Sequence, residues 1–360
     1  MRPYRRLLLA ATVLAFAVIA LGAYVRLSDA GLGCPDWPGC YGHWLGVPDE
    51  AHEQLAAQQA YPERPVQTAK AWKEMVHRYF AGTLGLLILA ICLLAWRPEH
   101  RKRQSPAVPT LLLGIVALQA ALGMWTVTLL LKPMIVTLHL LGGMTTLALL
   151  VAMSIRETGY APADDGSGQR LRLPAAIALL AVVAQIALGG WVSSNYAALA
   201  CPDFPTCQGQ WQPPMDFEQA FTLHRELGFT GDGRLLSGEA LTAIHWTHRL
   251  GALAVLLAVG TLALVLLRAP HRRWRPWGMA LLGLLALQIG LGIANVLLSL
   301  PLVLAVAHNL GAACLLSTAL ALNIKLHQAK SPYRQATYKD FALAGGVDGT
   351  RTRDPRRDRP

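Results

Sequence analysis

The chain has 360 residues, of which 54% are hydrophobic and only 15% charged, and it carries a formal net charge of +11. Ordinary soluble domains carry about 25% charged residues, so this composition excludes a typical water-soluble globule, and its apolar content excludes a wholly disordered chain. The positive balance does not mark a nucleic-acid partner, because the basic residues are scattered over separate short loops rather than gathered on one domain.

About 20 consecutive apolar residues cross the hydrocarbon core as a helix. Eight segments reach that length, at 7–25, 75–96, 107–130, 134–155, 173–193, 241–267, 276–299 and 302–325. The expected fold class is therefore an all-α integral membrane protein with eight transmembrane helices. The first segment follows Arg2, Arg5 and Arg6, like a signal peptide. It lacks a small-residue cleavage site and runs on into a motif that recurs later, so it reads as a retained helix. Arg97, Arg101, Lys102 and Arg103 follow the second segment, Arg156, Arg170 and Arg172 the fourth, and Arg268, Arg272, Arg273 and Arg275 the sixth. All fall on one side, which the distribution of basic residues predicts to be cytoplasmic, with both termini there.

The loop after the first segment reads Cys34-Pro-Asp-Trp-Pro-Gly-Cys40-Tyr-Gly-His-Trp44, and the loop after the fifth reads Cys201-Pro-Asp-Phe-Pro-Thr-Cys207-Gln-Gly-Gln-Trp211. Seven of these eleven positions are identical at an offset of 167, which also relates Gly22 to Gly189. His77-Arg78 matches His248-Arg249, Gln119 matches Gln288, and His139 matches His308 at nearly the same spacing. The unit holds four helices, an even number, so both halves enter the membrane in the same sense as a parallel repeat of two four-helix bundles. The halves are expected at 1–156 and 173–326. Residues 157–172, with Pro162, Asp164, Asp165, Gly166 and Gly168, form a cytoplasmic linker. Residues 327–360 form a polar tail, read as disordered.

Of eleven histidines, His43, His52, His100, His224, His271 and His327 sit in loops or near helix ends. His77, His139, His248 and His308 lie on even-numbered helices, about two to eight residues after each expected start, so they share one layer near the outer face. A single intramembrane histidine is often a hydrogen-bonded core residue. Four that are repeat-related and co-layered point to a functional site. Two imidazoles on facing helices fit the axial positions of a haem iron, whereas zinc would want three or four ligands of shorter reach. Arg78 and Arg249 are candidates for pairing with haem propionates. Glu74 shares a helix face with His77, and its counterpart in the second half is His245. This difference separates a reactive half from an electron-transfer half.

Cys34 with Cys40, and Cys201 with Cys207, fall in outer loops where disulfides persist, and two short bridges are expected. Cys92 and Cys314 read as small buried hydrophobes. Stretches near Glu50–Gln59 and Asp216–Leu227 are amphipathic and could lie over the bundle mouth.

Glu74-Met-Val-His77-Arg78, Thr-Leu-His139-Leu-Leu-Gly-Gly, Thr-His248-Arg249-Leu-Gly and Ala-His308-Asn-Leu-Gly, with both cysteine loops and the duplicated layout, resemble the haem A synthases over about residues 7 to 325. The resemblance implies a bacterial inner-membrane enzyme that oxidises a methyl substituent of haem O to the formyl group of haem A for terminal oxidases. It implies two successive hydroxylations and loss of water. It places haem O with His77 and His139 and catalytic Glu74 in the first half, and a haem b cofactor with His248 and His308 in the second. Haem O synthase, oxidase assembly factors, an electron acceptor and a second copy of the chain would be its partners. A haem with both axial positions filled cannot bind oxygen. Either one histidine of the first half lets go, or water supplies the oxygen and Glu74 takes its proton. A non-catalytic di-haem b cytochrome would use the same four histidines without needing Glu74. A transporter would place polar groups near the midplane, where only Gln119 and Gln288 stand.

Overall fold

A computed structural model describes residues 2–101, 105–157 and 168–328. The tail from 329, and most of the expected linker, lie outside the described residues. Eight long helices dominate: α1 (Arg2–Leu27), α2 (Thr68–Ala95), α3 (Ala107–Thr128), α4 (Pro133–Glu157), α5 (Gln169–Ser194), α6 (Gly238–Arg268), α7 (Arg275–Leu297) and α8 (Leu302–Gln328). Each is long and apolar enough to cross a membrane. Among the described residues there is no β-strand.

Large apolar side chains project outward along these helices, among them Val13, Leu86, Leu180 and Leu257. Water would penalise such a surface and hydrocarbon does not. The interior is a continuous apolar cluster that includes Leu8, Ile88, Leu147, Leu262 and Leu281. Along the middle of the molecule α4 and α8 pack on each other and each on both α1 and α5; α2 and α3 flank them on one side, and α6 and α7 on the other.

The spans match their expected positions, but α1, α2, α5 and α6 begin three to seven residues earlier, at Arg2, Thr68, Gln169 and Gly238. The added residues of α2 and α6 include Lys70, Lys73 and Glu239, so these two helices rise beyond the apolar layer. At α6 the Ser237 hydroxyl accepts the Ala240 N–H at 3.1 Å, satisfying a donor the helix start leaves over.

Correspondence between the halves extends to backbone conformation. Leu130 and Leu131 turn α3 into α4 with φ of 52° and 58°, and Ser299 and Leu300 turn α7 into α8 with φ of 57° and 62°. The Leu131 N–H donates to Thr126 O at 2.9 Å and the Leu300 N–H to Asn295 O at 2.7 Å. Asp29 and Tyr196, which follow α1 and α5, are also left-handed. The halves are joined on the cysteine-loop face. Arg26 donates to Ser193 O at 2.7 Å and stacks on the Tyr196 ring at 3.9 Å, and Lys132 pairs with Glu226 at 2.7 Å.

Of the amphipathic stretches, the first is a helix at Ala51–Ala60, whereas the second forms only the short helix Phe217–Ala220, capped by Asp216. The dipeptide His224-Arg225 lies in this second loop. Arg225 is buried there, donating to Asn195 Oδ1 at 2.6 Å and Phe229 O at 3.1 Å, and fastens the loop to the end of α5.

Candidate functional site

The cysteine loops are folded by their own carboxylates. Asp36 Oδ1 and Oδ2 accept the N–H groups of Tyr41 and Gly42 at 2.6 and 2.8 Å. Asp203 accepts those of Gln208 and Gly209 at 2.6 and 2.9 Å, and the Thr206 hydroxyl at 2.5 Å. Both expected disulfides are formed, Cys34–Cys40 and Cys201–Cys207. Cys92 is buried as expected, whereas Cys314 is only half-buried.

Each loop closes a socket over the start of an even helix. In the first half Glu74 fills it, 5% exposed. Its Oε2 accepts the Cys34 N–H at 3.0 Å, and its Oε1 pairs with Arg78 Nη2 at 2.5 Å. Arg78 Nη1 also donates to the carbonyls of Asp36, Pro38 and Gly39. In the second half the socket holds His245, also buried. The Cys201 N–H stands 3.2 Å from its Nδ1, and Arg249 Nε 3.3 Å from its Nε2. Arg249 further donates to the carbonyls of Thr206, Cys201 and Asp203 at 2.8, 2.9 and 2.8 Å. A neutral imidazole has one acceptor nitrogen, so His245 accepts one of its two donors at a time, whereas a carboxylate accepts both.

Arg78 and Arg249, the candidates for pairing with haem propionates, direct their donors in the structure to loop carbonyls and to the socket residue. The reason is local: the cysteine loops turn several carbonyls toward the helix, and a buried guanidinium takes the acceptors within reach.

Counted from the observed helix starts, His77 and His248 stand further along their helices than expected, because the added first turns of α2 and α6 are polar and lie outside the apolar layer. His139 and His308 stand six residues after the first residue of α4 and α8, His77 nine after that of α2, and His248 ten after that of α6. Each ring packs on a glycine of the preceding helix. A Cβ built on Gly22 would stand 3.1 Å from His77 Cε1, on Gly123 3.4 Å from His139 Cε1, and on Gly189 and Gly292 3.2 Å from His248 and His308 Cε1. His77 and His139 are close enough to interact electrostatically, as are His248 and His308. The structure thus groups the histidines two by two, one pair per half.

These residues fit an iron porphyrin. Nδ1 of His77, His139 and His308 is buried without a hydrogen-bond partner, leaving rings with a nitrogen that no protein group claims. Among the described residues no cluster of three or more His, Cys, Asp or Glu could hold a bare metal ion. Two imidazoles per half would supply two axial ligands and leave the equatorial four to a porphyrin.

Sequence reading missed two parts of this arrangement. Gly123 and Gly292, which cradle two of the histidines, went unremarked. So did Gln185, whose Nε2 donates to His248 O at 2.9 Å. The detectable signal was a Gln-x-x-x-Gly pattern at Gln119–Gly123, Gln185–Gly189 and Gln288–Gly292.

Comparison with known proteins agrees with this picture. Residues 5–320 match the COX15-CtaA family model, described as cytochrome oxidase assembly protein. The chain is 43% identical over 328 residues to the heme A synthase of Shewanella oneidensis, covering 89% of this chain and 96% of that one. It is 30% identical to the heme A synthase of a Methylobacterium species, over 88% of this chain and 90% of the relative. With that of Halalkalibacterium halodurans the identity is 27%, over 84% and 89%. This chain belongs to the COX15-CtaA family of cytochrome oxidase assembly proteins.

Proposed function

We propose that the chain is a haem A synthase, an oxidoreductase that converts the C8 methyl group of haem O into the formyl group of haem A. The proposal assigns haem O to the first half, between His77 and His139, and a haem b cofactor to the second, between His248 and His308. The observation that carries the division is the socket: Glu74 occupies in one half the place His245 occupies in the other.

Oxidising a methyl to a formyl with water as oxygen source removes four electrons and four protons and adds one oxygen. Haem b, when bound, supplies one-electron transfer toward an external acceptor. Glu74 is the chain's proton acceptor in this scheme. Cys34 N–H and Arg78 bind one oxygen each, and the carboxylate keeps further lone pairs with which to accept the proton that water gives up. Arg78 and the cysteine loop fix the carboxylate three residues before His77, one turn along the same helix face. His139 and His77 hold the substrate's iron and so set its distance from that carboxylate. In the second half His245 keeps the socket filled and offers no carboxylate, which suits a cofactor that is not itself modified.

Orientation in the plasma membrane, with termini cytoplasmic and cysteine loops outside, is part of the same proposal. Its support is the basic residues Arg97, Arg101, Arg156, Arg268 and Arg275, all at the helix ends opposite the cysteine loops. Haem O delivery by a synthase, an electron acceptor, assembly factors and self-association are the partnerships it implies.

The test is Glu74→Gln, assayed for haem A formation in membranes supplied with haem O. General-base loss lowers rates by roughly 10²–10⁴-fold. The expected result is that loss of conversion with the haem spectrum intact. Conversion at the wild-type rate would remove Glu74 as the proton acceptor, and absence of conversion by the wild type itself, with both haems bound, would leave an electron-transfer cytochrome.

A further inference from the structure

Beneath the shared histidine–glycine contacts lies a second device that only three of the four helix pairs possess. Gln119, Gln185 and Gln288 each stand one turn before the glycine that carries a histidine ring. In the same three pairs a glycine stands three residues after the histidine, at Gly142, Gly251 and Gly311. The two features meet in space. A Cβ on Gly251 would lie 2.2 Å from Gln185 Oε1, on Gly311 2.3 Å from Gln288 Oε1, and on Gly142 1.8 Å from Gln119 Nε2. Each glutamine amide therefore fills a notch that only glycine leaves.

From that notch Gln185 Nε2 donates to His248 O at 2.9 Å and lies 3.1 Å from His248 Nδ1. Gln288 Nε2 donates to His308 O at 2.9 Å. Gln119 fills its notch with the amide turned over, so that its Nε2 faces Gly142 and has no acceptor. The fourth pair has neither half of the device. Val18 replaces the glutamine and Phe80 the glycine, and Phe80 is exposed. His77 still rests on Gly22, but nothing ties α2 to α1 at its level in this way.

We propose that Gln185 and Gln288 are positioning residues that lock the ligand-bearing helices α6 and α8 in height and rotation, that the first half has no such donated bond, and that His77, which lacks the glutamine and the notch as well, is the axial ligand that releases its iron. This rests on the haem assignment made above and adds to it which bond opens. An amide buried in an apolar bundle loses its acceptor if either helix slides, and no water replaces it. The lock therefore resists the displacement that ligand release requires. A cofactor that only carries electrons should keep both ligands. A substrate that enters and leaves must lose them in every turnover, and the unlocked histidine lies on the helix that bears Glu74.

Carbon monoxide tests this, because it binds ferrous haem only where an axial position opens. The measurement is carbon monoxide bound per two haems in purified, dithionite-reduced protein, with haem content determined separately. Wild type is expected to bind one equivalent. Gln185→Leu and Gln288→Leu should each bind two, the second at least tenfold more tightly than wild type does. Gln185→Met, which fills the notch but cannot donate, should behave like the leucine variant. Val18→Gln with Phe80→Gly should lower first-half binding at least tenfold. The proposal is overturned if the second-half variants stay within twofold of wild type at full haem content, if Gln185→Met behaves as wild type, or if the Val18/Phe80 pair leaves binding unchanged. A wild-type protein without six-coordinate low-spin haem in both halves would instead overturn the haem assignment itself.

Discussion

The backbone N–H of Cys34 holds Glu74 Oε2 at 3.0 Å, across 40 residues of chain. A loop that looks like a surface staple is thus part of the wall around the candidate catalytic carboxylate. Opening the loop by Cys34→Ser with Cys40→Ser should release that donor and also scatter the carbonyls that hold Arg78. The expected outcome is a fall in haem A formation while the second-half haem keeps its spectrum. The equivalent change at Cys201 and Cys207 should do the reverse, disturbing the haem b signal first. Haem spectra and pigment analysis of the two double variants check this; equal effects on both halves would count against it.

Arg78 and Glu74 form a pair whose side chains are only 13% and 6% exposed. Removing one member of a buried pair leaves an uncompensated charge and costs about 3–5 kcal/mol. Arg78→Leu should therefore destabilise the first half markedly, seen as a lower unfolding temperature in detergent, and abolish conversion. Arg78→Leu combined with Glu74→Gln should recover much of the stability and none of the activity. If the double variant is no more stable than the single, the pair is not what holds the socket.

Much of this fold is written locally. Each membrane span is an uninterrupted apolar stretch, so composition within one window reveals it, and the histidines stand out because charge-capable side chains are rare there. The starts of α2 and α6 were less legible, since Thr68–Glu74 and Gly238–Leu241 are helical beyond the apolar layer, where hydropathy no longer distinguishes helix from loop. The sockets were not legible at all. Glu74 and Cys34 meet through a backbone N–H, which carries no residue signature, and Arg78 finds its partners among carbonyls. Gln185 was hidden for another reason. Comparing the halves at one offset sets it against Val18, and only comparison of all four helix pairs shows that Val18 is the exception.

Close helix approach at the histidines makes the four cradle glycines sensitive in a half-specific way. At Gly22 and Gly189 an added Cβ already presses on the ring at 3.1 and 3.2 Å, so a leucine there must displace the histidine or the helix. Gly22→Leu should lose haem O binding and keep haem b. Gly189→Leu should lose haem b and, with it, electron flow out of the first half. Quantifying each haem in the purified variants decides the matter, and loss of both haems from Gly22→Leu would contradict two independent sites.

Asp203 gives the second cysteine loop a defined response to acid. The Thr206 hydroxyl, then the N–H groups of Gly209 and Gln208, hold its carboxyl down at about 2, against an ordinary 3.8. A carboxylate depressed in the folded state contributes order that is fully present above its unfolded value and lost as pH falls through its folded one. The loop should thus be insensitive to pH above about 4 and loosen between about 4 and about 2. Hydrogen exchange at the Gln208 and Gly209 amides, corrected for intrinsic rates, should show protection falling across that window. In Asp203→Asn the same amides should exchange faster at neutral pH and show no such transition, because the amide that replaces the carboxylate does not titrate. As Arg249 is anchored on the carbonyls of this loop, the second-half haem spectrum should shift in step with the exchange. A spectrum unchanged while the loop opens would mean that Arg249 holds its place without the loop.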